Sequence, residues 1–486
     1  MRDPPHGIRE FRAQQVGECL TSRSGALARW AALGAACATT GLAPLATAAE
    51  PPPVPALTDS AAEEIAPAAD EQAVEEPATG ATPQVSPLVV TGYVDVGFAK
   101  AQGDGTSYPS GYVPGMPNAV DYYVDTFAPA VNSRGEVAST VPPPNTMVNG
   151  FLPRSAGIGG KGSFLLNTAD VDLRYTATEI PVLVFTRLQL VPRLYGPDAT
   201  PGQAFGDNTR LVLEQAFGRI APLRDAELAI NVGKFDSVFG IEYLDNQANF
   251  RIGVTPSLIA RYTTGQSVGV KAFYRLQIIP ASSAVSLNVA ATNSGTFVES
   301  LQGPSRSLTG VPVVSMRLGY ELNLERISLK VGGSAAYGPR NDQTDSSGDK
   351  QTLLGFDARL VVPTLTVSGE FVHVDENDAG ISAKVTGTGV FPFVTEFYAH
   401  GFYVQAAEEL PLKIAPFRII VYARYDRRTA EFEGIAKITI DRVTAGVNVG
   451  IGDNLVVKGE YLVNREVAGA PQVANNVATS SVVWTW

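Results

Sequence analysis

The chain has 486 residues, 45% of them hydrophobic, a formal net charge of −11 and two cysteines. That length could hold two or three ordinary domains or one long barrel. No uninterrupted apolar run of about 18 residues is present, which argues against a helical membrane protein, and the acidic balance without a basic stripe argues against nucleic acid as a partner. Forty-seven glycines with 17 tyrosines and 21 phenylalanines suit a protein of strands, turns and aromatic girdles.

In residues 1–48, Arg23 and Arg29 precede a small-residue apolar stretch that ends in Ala46, Thr47 and Ala48. This predicts a secretory signal peptide cleaved near Ala48, with an unusually long front end. Both cysteines, Cys19 and Cys37, fall in the removed segment, so the mature chain is expected to carry no thiol and no disulfide. A lipoprotein reading through Cys37 fits poorly, because Leu33 lies one place too far away. Residues 49–87 are rich in Pro and Ala and hold eight acidic residues with no Lys or Arg. They bury too little to offset ordering and are expected to form a disordered periplasmic leader. Residues 1–48 contribute +2 and the leader −8 of the total −11, leaving −5 for the body, 88–486.

The body alternates from its start: Val90, Val94, Val96 and Phe98 interleave with Thr91, Tyr93, Asp95 and Gly97, two unlike faces at a period of two. A long Gly, Pro, Ser and Asn-rich connection, 101–162, follows and is expected to be an extracellular or pore-folded loop. Strand pairs are predicted at 171–175 with 183–190 and at 211–219 with 226–232, each joined by a tight turn. Alternation fails across 233–251, which is expected to be a loop that folds inward, with Lys234, Asp236, Glu242 and Arg251 as constriction candidates. From Ser267 onward the pattern repeats strand after strand: Val268, Val270, Ala272, Tyr274, Leu276 and Ile278 oppose Ser267, Gly269, Lys271, Phe273, Arg275 and Gln277. Further strands are expected near 285–291, 314–322, 327–337, 354–360, 364–374, 396–408, 416–427, 437–450 and 454–464. The last residues, 476–486, alternate again and end on Trp484 and Trp486, aromatic residues placed for a membrane interface. A soluble two-sheet protein of this size would bury some strands on both faces and show continuous apolar runs. The count therefore favours an all-β fold, a single transmembrane antiparallel barrel of about 16 strands, between about 14 and 18.

Three stretches carry a resemblance: 213–217 with 232–242, 401–405 with 417–426, and 441–448 with 453–461. They contain a Gln-Ala-aromatic strand (Gln215, Ala216, Phe217), a Gly-Lys-Phe turn with a later Gly-x-Glu (Gly233, Lys234, Phe235, Gly240, Glu242) and an Asn-Leu-x-x-Lys-x-Glu-Tyr hairpin (Asn454, Leu455, Lys458, Glu460, Tyr461). In these the chain resembles the porin-like outer-membrane barrels related to the phosphate-selective porins, and its final strand resembles the closing strand of bacterial outer-membrane barrels. The resemblance implies a Gram-negative outer-membrane location, insertion by the barrel-assembly machinery and contact with outer-membrane lipid. The family's phosphate ligands do not map onto this chain.

A barrel of about 16 strands leaves an aqueous lumen, so the expected function is passive diffusion of small polar solutes or ions. Pore-lining candidates are the charges on the inward parity: Lys271, Arg275, Arg317, Lys330, Arg359, Arg418, Arg424, Arg442 and Lys458 against Glu321, Asp357, Glu370, Asp426 and Glu460. Nine basic against five acidic residues suggest a weak anion preference, while pairing across strands would simply keep the interior solvated. Catalysis is not expected. His373 and His400 are the only histidines past the signal, no Gly-x-Ser-x-Gly elbow is present, and no Cys or His cluster supports a metal or other cofactor. A homotrimer is common for such barrels, although nothing in the sequence marks a subunit interface. The alternative is a surface-structural or adhesive barrel whose long loops bind a partner; loop deletion with unchanged conductance and lost surface binding would favour it.

Overall fold

The computed structural model describes residues 87–102, 162–177, 180–191, 210–223, 227–293, 312–339, 350–377, 396–412, 416–432, 437–468 and 476–486. The expected signal peptide, the leader as far as residue 86 and most of the 101–162 connection lie outside the described residues.

Sixteen strands run in order: β1 (Leu88–Ala101), β2 (Gly162–Thr176), β3 (Val182–Val191), β4 (Arg210–Leu223), β5 (Glu227–Asp236), β6 (Gln266–Ile279), β7 (Ser283–Thr292) and β8 (Val313–Leu324). The second half comprises β9 (Ile327–Pro339), β10 (Lys350–Val361), β11 (Leu365–Asn377), β12 (Glu396–Glu409), β13 (Phe417–Phe432), β14 (Ile438–Ile451), β15 (Leu455–Ala468) and β16 (Val477–Thr485). Each pairs antiparallel with its chain neighbours, and β1 pairs with β16, closing the barrel. No helix among the described residues is long and apolar enough to cross a membrane; the crossing elements are the strands. Their lengths of 9 to 16 residues suit tilted spanning strands.

The barrel is inside out relative to a soluble protein. Val270 and Leu318 on the outer face expose 46% and 55% of their surface, whereas Asp426 and Arg442 on the inner face expose none. The period-two pattern causes this directly: each strand turns one parity toward lipid and the other toward the lumen. Connections alternate in length. Glu325 and Arg326 alone join β8 to β9, and a turn over Gly452 joins β14 to β15, while β5 and β6 are separated by residues 237–265. The turns of two or three residues all lie at one end of the barrel, together with the start of β1 and the end of β16.

Closure runs through the pairing of Tyr93–Ala101 with Val477–Thr485, and Trp486 extends it by one more pair. Trp486 N–H donates to the Gly92 carbonyl (3.0 Å) and Gly92 N–H donates to the Trp486 carbonyl (3.2 Å). The Trp486 indole lies over Gly92, where an added Cβ would meet the ring at 2.6 Å, and its centroid sits 5.4 Å from that of Trp484. Both rings are exposed on the outer face at the short-turn end. Deleting Trp486 removes two seam hydrogen bonds and one ring. The expected result, read by quantifying heat-modifiable barrel in outer-membrane fractions, is a clear fall in folded protein with little change in the conductance of the molecules that still assemble. Unchanged membrane levels would contradict this role of the seam.

Candidate functional site

Residues 237–265 fold into the lumen. Ser237 N–H donates to the Gly265 carbonyl (2.9 Å), pinching the base of the loop where β5 ends and β6 begins. Inside, a 3-10 turn (Glu242–Asp245) and a short helical turn (Ala260–Thr263) are the only regular structure. Most of the loop is therefore backbone without a ladder partner. Buried N–H and C=O groups require partners, and the barrel wall supplies them.

The supply is sorted by charge. Carboxylates take the amides: Glu370 accepts from Ile241 N (3.2 Å) and Glu242 N (3.0 Å), Glu460 from Val254 N (2.9 Å) and Thr255 N (2.8 Å), and Asp426 from Leu258 N (3.1 Å). Cations take the carbonyls: Arg424 donates to Thr255 O and Pro256 O (both 2.9 Å), Arg442 to Pro256 O, and Lys458 to Ala248 O and Arg251 O. Tyr422 donates to Glu460, Asn448 to Ile252 O (2.9 Å), and Arg359 pairs with Asp245. Gly240 adopts a φ of +72° with the Glu370 carboxylate where a Cβ would sit, so the loop's approach to β11 needs glycine at that place. Each charge-assisted bond contributes about 1.5–3 kcal/mol. With Gly240 N–H donating to Ser334 on β9 (3.0 Å), they hold the loop against the wall from β9 to β15 and leave an open side toward β1–β7. The loop meets that side chiefly through Gln247 on Tyr93 (2.8 Å), Ala248 beside Tyr93, Val238 against Phe235 and Ala290, and Tyr243 beside Lys271.

Beneath the loop on that open side lies a vestibule of about 400 Å³, toward the short-turn end. Its wall includes Asp172, Arg174, Arg187, Arg219, Lys271 and the rings of Phe185, Phe217, Phe235 and Phe273, and its roof is the loop's Tyr243, Gln247 and Phe250. Arg187 holds Asp172 through two 2.6 Å hydrogen bonds. Asp236 accepts from Gln215 (2.6 Å) and Gln266 (3.2 Å). The Lys271 ammonium lies 5.7 Å and 5.8 Å from the ring centroids of Phe235 and Tyr243. In the loop, burial pushes the Glu242 carboxyl above its ordinary range, against the pull of Arg424 and of Ser257, whose N–H it accepts at 2.6 Å.

The residues singled out from sequence divide accordingly. Lys271 is in the vestibule, while Arg317, Glu321, Lys330 and Arg359 line a smaller cavity beside Ile241 and Leu244. Arg317 pairs with Asp357 (2.7 Å), Arg275 bridges Glu227 (3.0 Å) and Glu321 (2.9 Å), and Lys330 reaches Glu321 at 3.4 Å. Arg418 pairs with Glu409 (2.7 Å) at the exposed short-turn end. Glu370, Arg424, Asp426, Arg442, Lys458 and Glu460 touch the loop, as given above.

Two constriction-loop expectations need correction. Lys234 and Asp236 belong to β5, because Gly233, with a φ of +135°, kinks the strand without ending its pairing. Lys234 sits opposite the outward-facing Val268 and donates to Leu213 O (2.6 Å). Glu242 and Arg251 do lie in the inward loop, yet both are buried within it: Arg251 donates to Asp245 O (3.2 Å) and Val254 O (3.0 Å). Residues 251–261 are part of this loop as well. Missed altogether were Asp172, Arg174, Arg187 and Arg219. The signal was present, since Asp172 and Arg174 share a parity, as do Phe185 and Arg187; only on β4, where the register shift opposite Arg187/Leu188 makes Glu214 an extra residue, is the alternation leading to Arg219 broken.

The family model described as "Putative beta-barrel porin-2, OmpL-like" matches residues 143–481. No curated protein matches the sequence. Among solved structures the chain is similar to Salmonella typhi OmpF in complex with daunomycin (11% identity, TM-score 0.47, 82% of this chain and 97% of that one). It is also similar to the outer membrane channel DcaP of Acinetobacter baumannii (10%, 0.45, 82% and 97%) and to an anion-selective porin from Comamonas acidovorans (7%, 0.44, 82% and 99%).

Proposed function

This chain belongs to that OmpL-like beta-barrel porin family, and we propose that it is a passive diffusion pore for small hydrophilic solutes and ions, mildly selective for anions. The observation that carries this reading is the divided lumen: a polar inner face, a loop bonded to one wall, and a vestibule left against the other. A sixteen-stranded barrel is wide enough for an aqueous path once its interior is not filled by side chains. Fixing the loop to the wall narrows that path without closing it, and keeps it narrow without a gating movement.

Anion preference rests on the vestibule rather than on the whole inner face. Its described lining carries four basic residues (Arg174, Arg187, Arg219, Lys271) against two acidic ones (Asp172, Asp236). Rings of charged side chains set ion selectivity in such pores. In a planar bilayer under asymmetric KCl, the reversal potential should lie on the chloride side of zero. A reversal potential on the potassium side would overturn the preference while leaving the pore intact.

The same reading places the protein in the outer membrane with short turns and both barrel termini facing the periplasm, the arrangement of bacterial single-chain barrels. Residues up to Ala48 then direct export and the acidic segment that follows stays periplasmic. Trp484 and Trp486 anchor the periplasmic interface, and the exposed apolar belt meets lipid.

A further inference from the structure

Resting on the pore reading, we propose that the vestibule is a binding station for small aromatic anions, a planar ring bearing a carboxylate or sulfonate, which the pore admits in preference to aliphatic anions and aromatic cations.

Aromatic surface comes from both wall and roof. Phe185 on β3 and Phe217 on β4 lie side by side, ring centroids 5.3 Å apart at 35°. Phe235 and Phe273 continue that wall, and Tyr243 and Phe250 descend from the loop. A space of about 400 Å³ is within the size range of small-molecule sites and holds a molecule of one or two rings.

Cations are interleaved with the rings. The Arg187 guanidinium lies 5.5 Å from the Phe185 centroid, and the Lys271 ammonium lies over Phe235 and Tyr243. Arg174 is in register with Phe185, and Arg219 on β4 shares the vestibule wall. The acids beside them have partners of their own: Asp172 holds Arg187, Asp236 accepts from Gln215 and Gln266, and Glu214 accepts from Gln266 with Arg187 at 4.0 Å. A ring entering here meets aromatic faces and guanidinium planes, on which it stacks, and its anionic group meets Lys271, Arg174 and Arg219. An aromatic cation meets the same rings but competes with the ammonium already seated on two of them. An aliphatic anion gains only the charge term.

Block of ion current separates these cases. Purified full-length protein in a planar bilayer is titrated with benzoate, with acetate (charge without ring) and with benzylammonium (ring with opposite charge). Benzoate should reach half-block at about a tenfold lower concentration than either control, the size expected of one added stacking or cation–π contact. Lys271→Met should bring benzoate and benzylammonium together, and Phe217→Leu should bring benzoate and acetate together, each in protein that remains heat-modifiable. Should one variant fail to fold, the three-compound comparison on the natural protein decides alone. A conducting pore that benzoate, acetate and benzylammonium block equally overturns the proposal and leaves the pore reading standing. Folded protein that conducts nothing removes the pore reading and this inference with it.

Discussion

Replacing residues 238–264 with a short Gly-Ser linker should raise single-channel conductance roughly threefold, because an emptied sixteen-stranded barrel leaves a continuous aqueous channel. The loop is the main described structure that crosses the lumen, and it is bonded to the wall rather than built into it. Its removal leaves every strand pair in place, including β5 with β6. It also exposes Glu370, Asp426, Glu460, Arg424, Arg442 and Lys458, which change from partners of the loop backbone to solvated wall charges. The variant should therefore fold, conduct more and discriminate less by size, checked together by bilayer recordings and by swelling of liposomes with sugars of increasing mass. A conductance equal to that of the natural protein would mean that the path does not run past the loop.

Glu460→Ala should loosen the same loop without deleting it. The Glu460 carboxylate is nearly buried and accepts the Val254 and Thr255 amides and the hydroxyls of Thr255 and Tyr422. Removing it orphans two buried amides and the hydroxyls of Thr255 and Tyr422. Each buried donor left unpaired costs about 1–3 kcal/mol. The loss should therefore total about 3 kcal/mol of loop attachment, seen as a noisier open state and an earlier loss of the compact form on heating. Glu460→Gln keeps an acceptor oxygen and should fall between the two. If Glu460→Ala matches the natural protein in both noise and heat modifiability, the clamp is not what holds the loop.

Much of the barrel was legible because a spanning strand writes its two environments into alternate residues. Val268 to Ile278 and Val443 to Val449 turn an apolar residue outward at every second place, and Trp486 marks, through Gly92, where β16 meets β1. The loop's attachment was not legible for an equally physical reason. Its partners are backbone amides and carbonyls, which every residue type supplies, so no sequence signature marks Val254 or Leu258 as the ligand of a carboxylate. Glu460 and Asp426 have the same spacing whether they face water or that backbone. Residues expected to line the pore by parity alone thus include several that grip the loop. Lys234 and Asp236 were hidden by Gly233, whose backbone breaks the pattern but not the strand.

The most direct measurement is the ion conductance of purified, heat-modifiable protein inserted singly into a planar bilayer. A polar-walled barrel with a fixed, partial constriction predicts discrete current steps of uniform size that persist without voltage-driven closure at moderate potentials. Correctly folded protein that inserts and gives no steps would contradict the account.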